Sequence, residues 1–76
     1  MRRVTKESCE RDFGEFIRHE RERRKLSQTE VAQMLGVDQS YYCRIEKGQR
    51  SVDLVTAIHI CTELDVDISD FIKKYM

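Results

Sequence analysis

Apolar residues recur along this chain at spacings of three and four, with polar and charged residues between them. Cys9, Phe13, Phe16, Ile17, Arg21 and Arg24 fall on one side of a first helix, predicted from near Cys9 to Arg24 with Ser8 as its cap. Val31, Ala32 and Leu35 define a second stripe. Ser27 precedes it and Glu30 lies three residues on, a capping box in which each side chain satisfies the other's free backbone donor. Gly36 follows where a helix often needs a left-handed residue to stop. Asp38 is placed to cap a third helix, with Val37 and Tyr42 placed as a hydrophobic staple around it. Tyr42 and Ile45 share that helix's inner side. At about 100° per residue, Gln39, Ser40, Cys43, Arg44 and Lys47 cluster on the other side, and Gly48 ends the helix. A fourth helix carries Leu54, Ala57, Ile58, Cys61 and Leu64 on its apolar stripe, and either Ser51 or Asp53 can cap it. A fifth follows Asp67, with Ile68, Phe71 and Ile72 as its apolar side and Tyr75 and Met76 extending that surface to the end of the chain, a patch that either closes the domain or meets a second copy.

With no proline, three glycines and abundant charged helix formers, the chain reads as all-α, and no alternating run argues for strands. Its 76 residues give room for one domain, expected to span 1–76 with residues 1–8 as an N-terminal arm. Domains near this size bury only about 60% of their unfolded surface. Stability of roughly 4–11 kcal/mol is expected. There is no internal repeat, low-complexity tract or linker.

The net charge is zero, which by itself argues against a nucleic-acid partner. Its distribution softens that reading. Residues 1–25 hold nine basic and six acidic side chains, and residues 51–76 hold two and five, so the charge is polarised along the sequence. The run Arg18 to Lys25 looks like a basic patch. Glu20 and Glu22 interleave it, however, and Glu20 with Arg24 makes a favourable i,i+4 pair on a solvated helix. Cys9, Cys43 and Cys61 lack metal-ligand spacing and fit a reduced, cytoplasmic setting. No stretch approaches the roughly 20 apolar residues of a membrane span, and Arg2 and Arg3 precede no signal-peptide core. His19 and His59 show no partner arrangement. Without a glycine-rich phosphate loop, a ligand cluster or a nucleophile with an assignable base, the chain reads as no enzyme, with no cofactor, metal or small-molecule ligand.

Two short helices joined by a tight turn, the second polar on its outer side, is the layout that seats a helix in the major groove of DNA. The motifs L-S-Q-x-E-V-A at Leu26 to Ala32, L-G-V at Leu35 to Val37 and R-I-E-K-G at Arg44 to Gly48 resemble the lambda repressor/Cro-type, or xenobiotic-response-element, helix-turn-helix family. The resemblance extends from about Phe13 to Phe71 and implies a compact five-helix fold whose third helix, roughly Gln39 to Lys47, reads DNA. It implies that Gln28 clamps a phosphate and braces the first recognition residue, and that Gln39, Ser40 and Arg44 face base edges. It also implies that Arg21 pairs with Glu46, that Gln49 and Arg50 touch phosphates, and that Asp53 caps the fourth helix. This chain departs from the family pattern in having Tyr42 where an aliphatic residue is usual, Asp65 where glycine is usual, and no proline before the fourth helix.

The chemistry of these residues agrees with that expectation. Arg44 can take guanine O6 and N7 as a bidentate pair, and Gln39 can take adenine N6 and N7. Ser40 suits a base or a phosphate, Lys47 and Arg50 suit phosphates or solvent, and Tyr41 either lays its ring on the DNA backbone or packs. Cys43 lies on the same face as a small residue. Glu46, on the inner edge, would be costly to bury unpaired. The expected function is a sequence-specific double-stranded DNA-binding regulator, a dimeric repressor or autoregulator joined through its C-terminal helix. Its size suits phage-type repressors, antitoxin-like autoregulators or restriction–modification controllers. The alternative is a protein-interaction module on the same fold, antitoxin-like or polymerase-binding, with little or no DNA binding.

Overall fold

The structure, a computed structural model, describes residues 4–76, so Arg2 and Arg3 of the expected arm lie outside the described residues. Among the described residues there are five α-helices and no strand: α1 (Lys6–Arg23), α2 (Gln28–Leu35), α3 (Gln39–Glu46), α4 (Leu54–Glu63) and α5 (Ile68–Ile72). A 3-10 turn over Lys73–Tyr75 follows α5.

The helix starts follow local side-chain chemistry. α1 begins earlier than its apolar pattern suggests, because Thr5 rather than Ser8 is the cap. The Thr5 hydroxyl accepts the Ser8 N–H at 3.1 Å, and the Ser8 hydroxyl accepts the Thr5 N–H at 3.1 Å. Ser8 is thus the far half of a capping box rather than its head. The Ser27–Glu30 box forms as the sequence predicts, with bonds of 3.0 and 2.8 Å. Asp38 occupies the cap position of α3 but makes no side-chain capping bond. α3 closes at Glu46, with Lys47 as its C-cap and Gly48 just beyond. Of the two candidate caps of α4, Asp53 accepts the Thr56 N–H at 2.7 Å, while the Ser51 hydroxyl is engaged by the Glu10 carboxylate.

The core takes Phe13 and Ile17 from α1, Val31 and Ala32 from α2, Tyr42 and Ile45 from α3, Ala57, Ile60 and Cys61 from α4, then Leu64 and Phe71. Each fully buried aliphatic side chain contributes about 1.5–3 kcal/mol. The inner face of α4 differs from the expected stripe. Ile60 is fully buried, whereas Leu54 is 69% exposed and Ile58 is 46% exposed. Ala57, Ile60, Cys61 and Leu64 are the positions that share one helical face, and Leu54 and Ile58 stand at its edge. Tyr75 extends the apolar side of α5 by closing it over the core, its ring edge-on to Phe71 with centroids 5.4 Å apart. It is half-buried, and its hydroxyl donates to Asp12 Oδ2 at 2.7 Å.

Two close approaches fix how α1 lies on α3. A Cβ on Gly14 would come within 2.5 Å of the Ile45 and Glu46 carbonyl oxygens, so the helices cross backbone to backbone. Gly48, at φ 73°, passes so near α1 that a Cβ would sit 2.8 Å from Arg11 Cα. Asp65 takes the left-handed conformation, at φ 56°, where the family has glycine. Its carbonyl accepts Arg24 Nη2 at 3.0 Å, and Arg24 Nη1 also holds Glu20 Oε1 at 2.8 Å. The expected Glu20–Arg24 pair therefore does more than decorate a solvated face: it ties the end of α1 to the α4–α5 turn. His59, expected to stand alone, lies 3.6 Å from Glu63 on the exposed side of α4.

Candidate nucleic-acid interface

α2 and α3 meet through a turn that begins at Gly36, φ 71°, where the Val37 N–H bonds the Ala32 carbonyl at 3.0 Å. The turn lets α3 lay Tyr42 and Ile45 on the core while its other side faces solvent. Gln39, Ser40, Arg44 and Lys47 are exposed on that side, and Cys43 and Tyr41 are half-buried at its edges. Gln49 and Arg50 are exposed just after it. The outer row predicted from 3.6-residue spacing is therefore present as one surface.

Behind this surface lies a chain of polar contacts that starts in the core. Glu46, whose side chain is 2% exposed, faces Arg21 in a two-pronged ion pair, with Nε to Oε2 at 2.7 Å and Nη2 to Oε1 at 3.0 Å. Arg21 Nη1 reaches across to the Leu26 carbonyl at 2.9 Å and fixes the turn from α1 into α2. Gln28 Nε2 donates to Glu46 Oε1 at 3.0 Å, and Gln39 Nε2 donates to Gln28 Oε1 at 3.1 Å. The order of these bonds is forced. An ionised carboxylate only accepts, so Gln28 must turn its NH₂ group inward and its carbonyl outward. Gln39 must then spend one N–H on that carbonyl, which leaves its own carbonyl and a second N–H facing solvent. The buried charge thereby sets the orientation of the first side chain of α3.

Burial pushes the Glu46 carboxyl up, but the hydrogen bonds from Arg21 and Gln28 outweigh it and hold the group below the usual carboxylate range. The bond to Glu46 raises Arg21 in turn. Tyr42, the departure from the aliphatic pattern, is fully buried with its hydroxyl beside this pair. That hydroxyl completes no hydrogen bond of normal geometry, and burial pushes its ionisation far above the usual tyrosine range. Cys61 is likewise pushed by burial up to about 11 and is chemically quiet. Cys9, Cys43 and Cys61 are all free of disulfides.

Two features of the region carry little or no sequence signature. The Arg50 guanidinium lies over the Tyr41 ring, 5.3 Å from its centroid, although the two are nine positions apart. Gly14, which lets α1 approach the end of α3, sits inside an otherwise regular helical pattern, where a lone glycine is the one available hint. Among the described residues no group of His, Cys, Asp and Glu could hold a metal ion, and no helix is long and apolar enough to cross a membrane.

Comparison with known proteins agrees with this geometry. The Helix-turn-helix family matches residues 17–71. An uncharacterised HTH-type transcriptional regulator, YqaE of Bacillus subtilis, is 34% identical over 61 residues, covering 80% of this chain and 53% of the relative. The chain thus spans about half the length of that curated relative. Among solved structures, the restriction-modification controller protein C.AhdI from Aeromonas hydrophila superposes with a TM-score of 0.78 at 34% identity, covering 84% of this chain and 97% of that one. The clp gene regulator ClgR from C. glutamicum gives a TM-score of 0.82 at 20% identity over 86% and 83% of the two chains, a likeness of fold. Over residues 17–71, this chain belongs to the helix-turn-helix family of the xenobiotic-response-element type, whose members are DNA-binding transcriptional regulators and not enzymes.

Proposed function

We propose that the chain is a dimeric, sequence-specific reader of duplex DNA that represses transcription by laying α3 in the major groove. The observation that carries this reading is the polar face of α3, backed by the Arg21–Glu46–Gln28–Gln39 chain of contacts. A face held in register by a buried ion pair can present fixed donors and acceptors to base edges. Arg44 reads guanine as a bidentate donor. Gln39 reads adenine with the carbonyl and N–H left free by its bond to Gln28. Ser40 and Cys43 lie close along the groove. Lys47, Gln49 and Arg50 hold the flanking phosphates, joined by the backbone N–H of Gln28 at the start of α2, which positions the helix without reading sequence.

An apolar face on α4 and α5 supports a dimer. Leu54, Val55, Ile58, Ile72 and Met76 are all at least 46% exposed. Leu54 and Ile72 also line a groove of about 480 Å³ whose walls include Cys9, Phe13, Ala57 and Phe71. Paired through α4 and α5, two copies would set their α3 helices for half-sites about 34 Å apart or a multiple of that. The likeness to a restriction-modification controller over nearly its whole length favours a compact autoregulator.

In vitro selection from a random duplex library, with Arg44→Ala run in parallel, tests this reading. The native chain is expected to enrich a two-fold symmetric site, and the variant to lose it or to relax one base position. A folded native chain that enriches nothing would contradict the reading and favour a protein-interaction module that uses the same apolar face.

A further inference from the structure

The turn after α3 brings Arg50 back beside the first turn of that helix. Gly48 at φ 73° reverses the chain, and the Gln49 N–H bonds the Arg44 carbonyl at 2.9 Å. No other residue type fits at position 48, because any Cβ there meets the backbone of Arg11 at 2.8 Å. The path of the segment is therefore fixed by backbone packing, and it ends with the Arg50 guanidinium 5.3 Å from the centre of the Tyr41 ring. Arg50 is exposed and makes no hydrogen bond or ion pair with any described residue, so its N–H groups are all available. Tyr41 is itself anchored, half-buried and packed against the core.

A long exposed arginine ordinarily loses much side-chain entropy when it fixes on an anion. A ring face that already holds the cation removes part of that loss, since cation–π attraction persists at exposed sites. We infer that Tyr41 is a positioning residue: its ring holds the Arg50 guanidinium ready for a backbone phosphate, so α3 and the segment after it grip one strand as a unit. This rests on the reading of the chain as a DNA binder and adds to it a coupling between two side chains.

Two measurements on the full chain test it. In the free protein, the Arg50 side-chain protons should show an upfield ring-current shift by NMR, kept in Tyr41→Phe and lost in Tyr41→Leu. In titrations with a mixed-sequence duplex at low salt, Tyr41→Leu should weaken binding about two- to fivefold. Tyr41→Phe should bind as the native chain does. Arg50→Ala should weaken binding and lower the salt dependence by about one phosphate contact. Adding Tyr41→Leu to Arg50→Ala should then cost nothing further. Equal losses from Tyr41→Leu with and without Arg50 would overturn the inference, as would a loss in Tyr41→Phe matching that in Tyr41→Leu. Absence of the ring-current shift in a native chain that binds DNA would overturn the inference alone. A native chain with the shift but no affinity for duplex would overturn both it and the DNA-binding reading.

Discussion

A carboxylate buried as deeply as Glu46 is costly unless cations and donors meet it, and Arg21 and Gln28 do so. Removing either charge leaves the other stranded. Glu46→Ala and Arg21→Ala should each lower stability by about 3 kcal/mol in urea unfolding, and the double variant should lose clearly less than the sum. Strict additivity would show that the two act independently. The same residue sets a pH dependence. Because the Glu46 carboxyl is held below its ordinary value of 4.5, its contribution is present above that pH and is lost as pH falls through the lower folded-state value. Acid titration of unfolding should therefore show stability falling below about pH 4.5, less steeply in Glu46→Gln. Equal slopes in the two proteins would contradict this origin. The Arg21–Glu46 pair was legible before the structure because a family pattern named it and because an inward glutamate demands a partner. The Tyr41–Arg50 stack was not, since it depends on how Gly48 redirects the chain.

At the scale of elements, both ends of α2 could be read from single residues, Ser27 with Glu30 and Gly36, whereas the start of α4 lay open between Ser51 and Asp53 until the family pattern favoured Asp53. The start of α1 was read late because two hydroxyls three apart look alike in sequence, and the one that heads the box is decided by which can face the other's N–H. The crossing of α1 and α3 left almost no trace, since backbone contact requires only the absence of a side chain. Gly14→Ala tests that crossing. In an isolated helix it would stabilise by about 1 kcal/mol. Here the new methyl meets two carbonyl oxygens of α3, so a net loss of about 2 kcal/mol is expected in thermal unfolding. Unchanged stability would mean that the helices separate at no cost. Asp65→Gly should move the other way, by roughly 0.5 kcal/mol, because it relieves a left-handed aspartate while keeping the carbonyl that Arg24 grips.

At the scale of the whole molecule, the polar face of α3 and the apolar residues left exposed on α4 and α5 are the two surfaces the account uses. Which apolar residues stay exposed was the least legible feature. α4 is apolar on more than one side, and only packing against α2 and α5 decides that Ile60 turns inward while Leu54, Val55 and Ile58 do not. Ile58→Glu should leave the helical content intact, shift sedimentation towards the monomer and abolish cooperative occupation of paired half-sites. A native chain that already sediments as a monomer at high concentration would contradict the dimer. The central claim, that the outer face of α3 reads DNA, is tested most directly by amide chemical-shift mapping during titration with a selected duplex. The account predicts perturbations centred on Gln28, Gln39, Ser40, Arg44, Lys47, Gln49 and Arg50. Shifts confined to α4 and α5, with α3 unmoved, would contradict it.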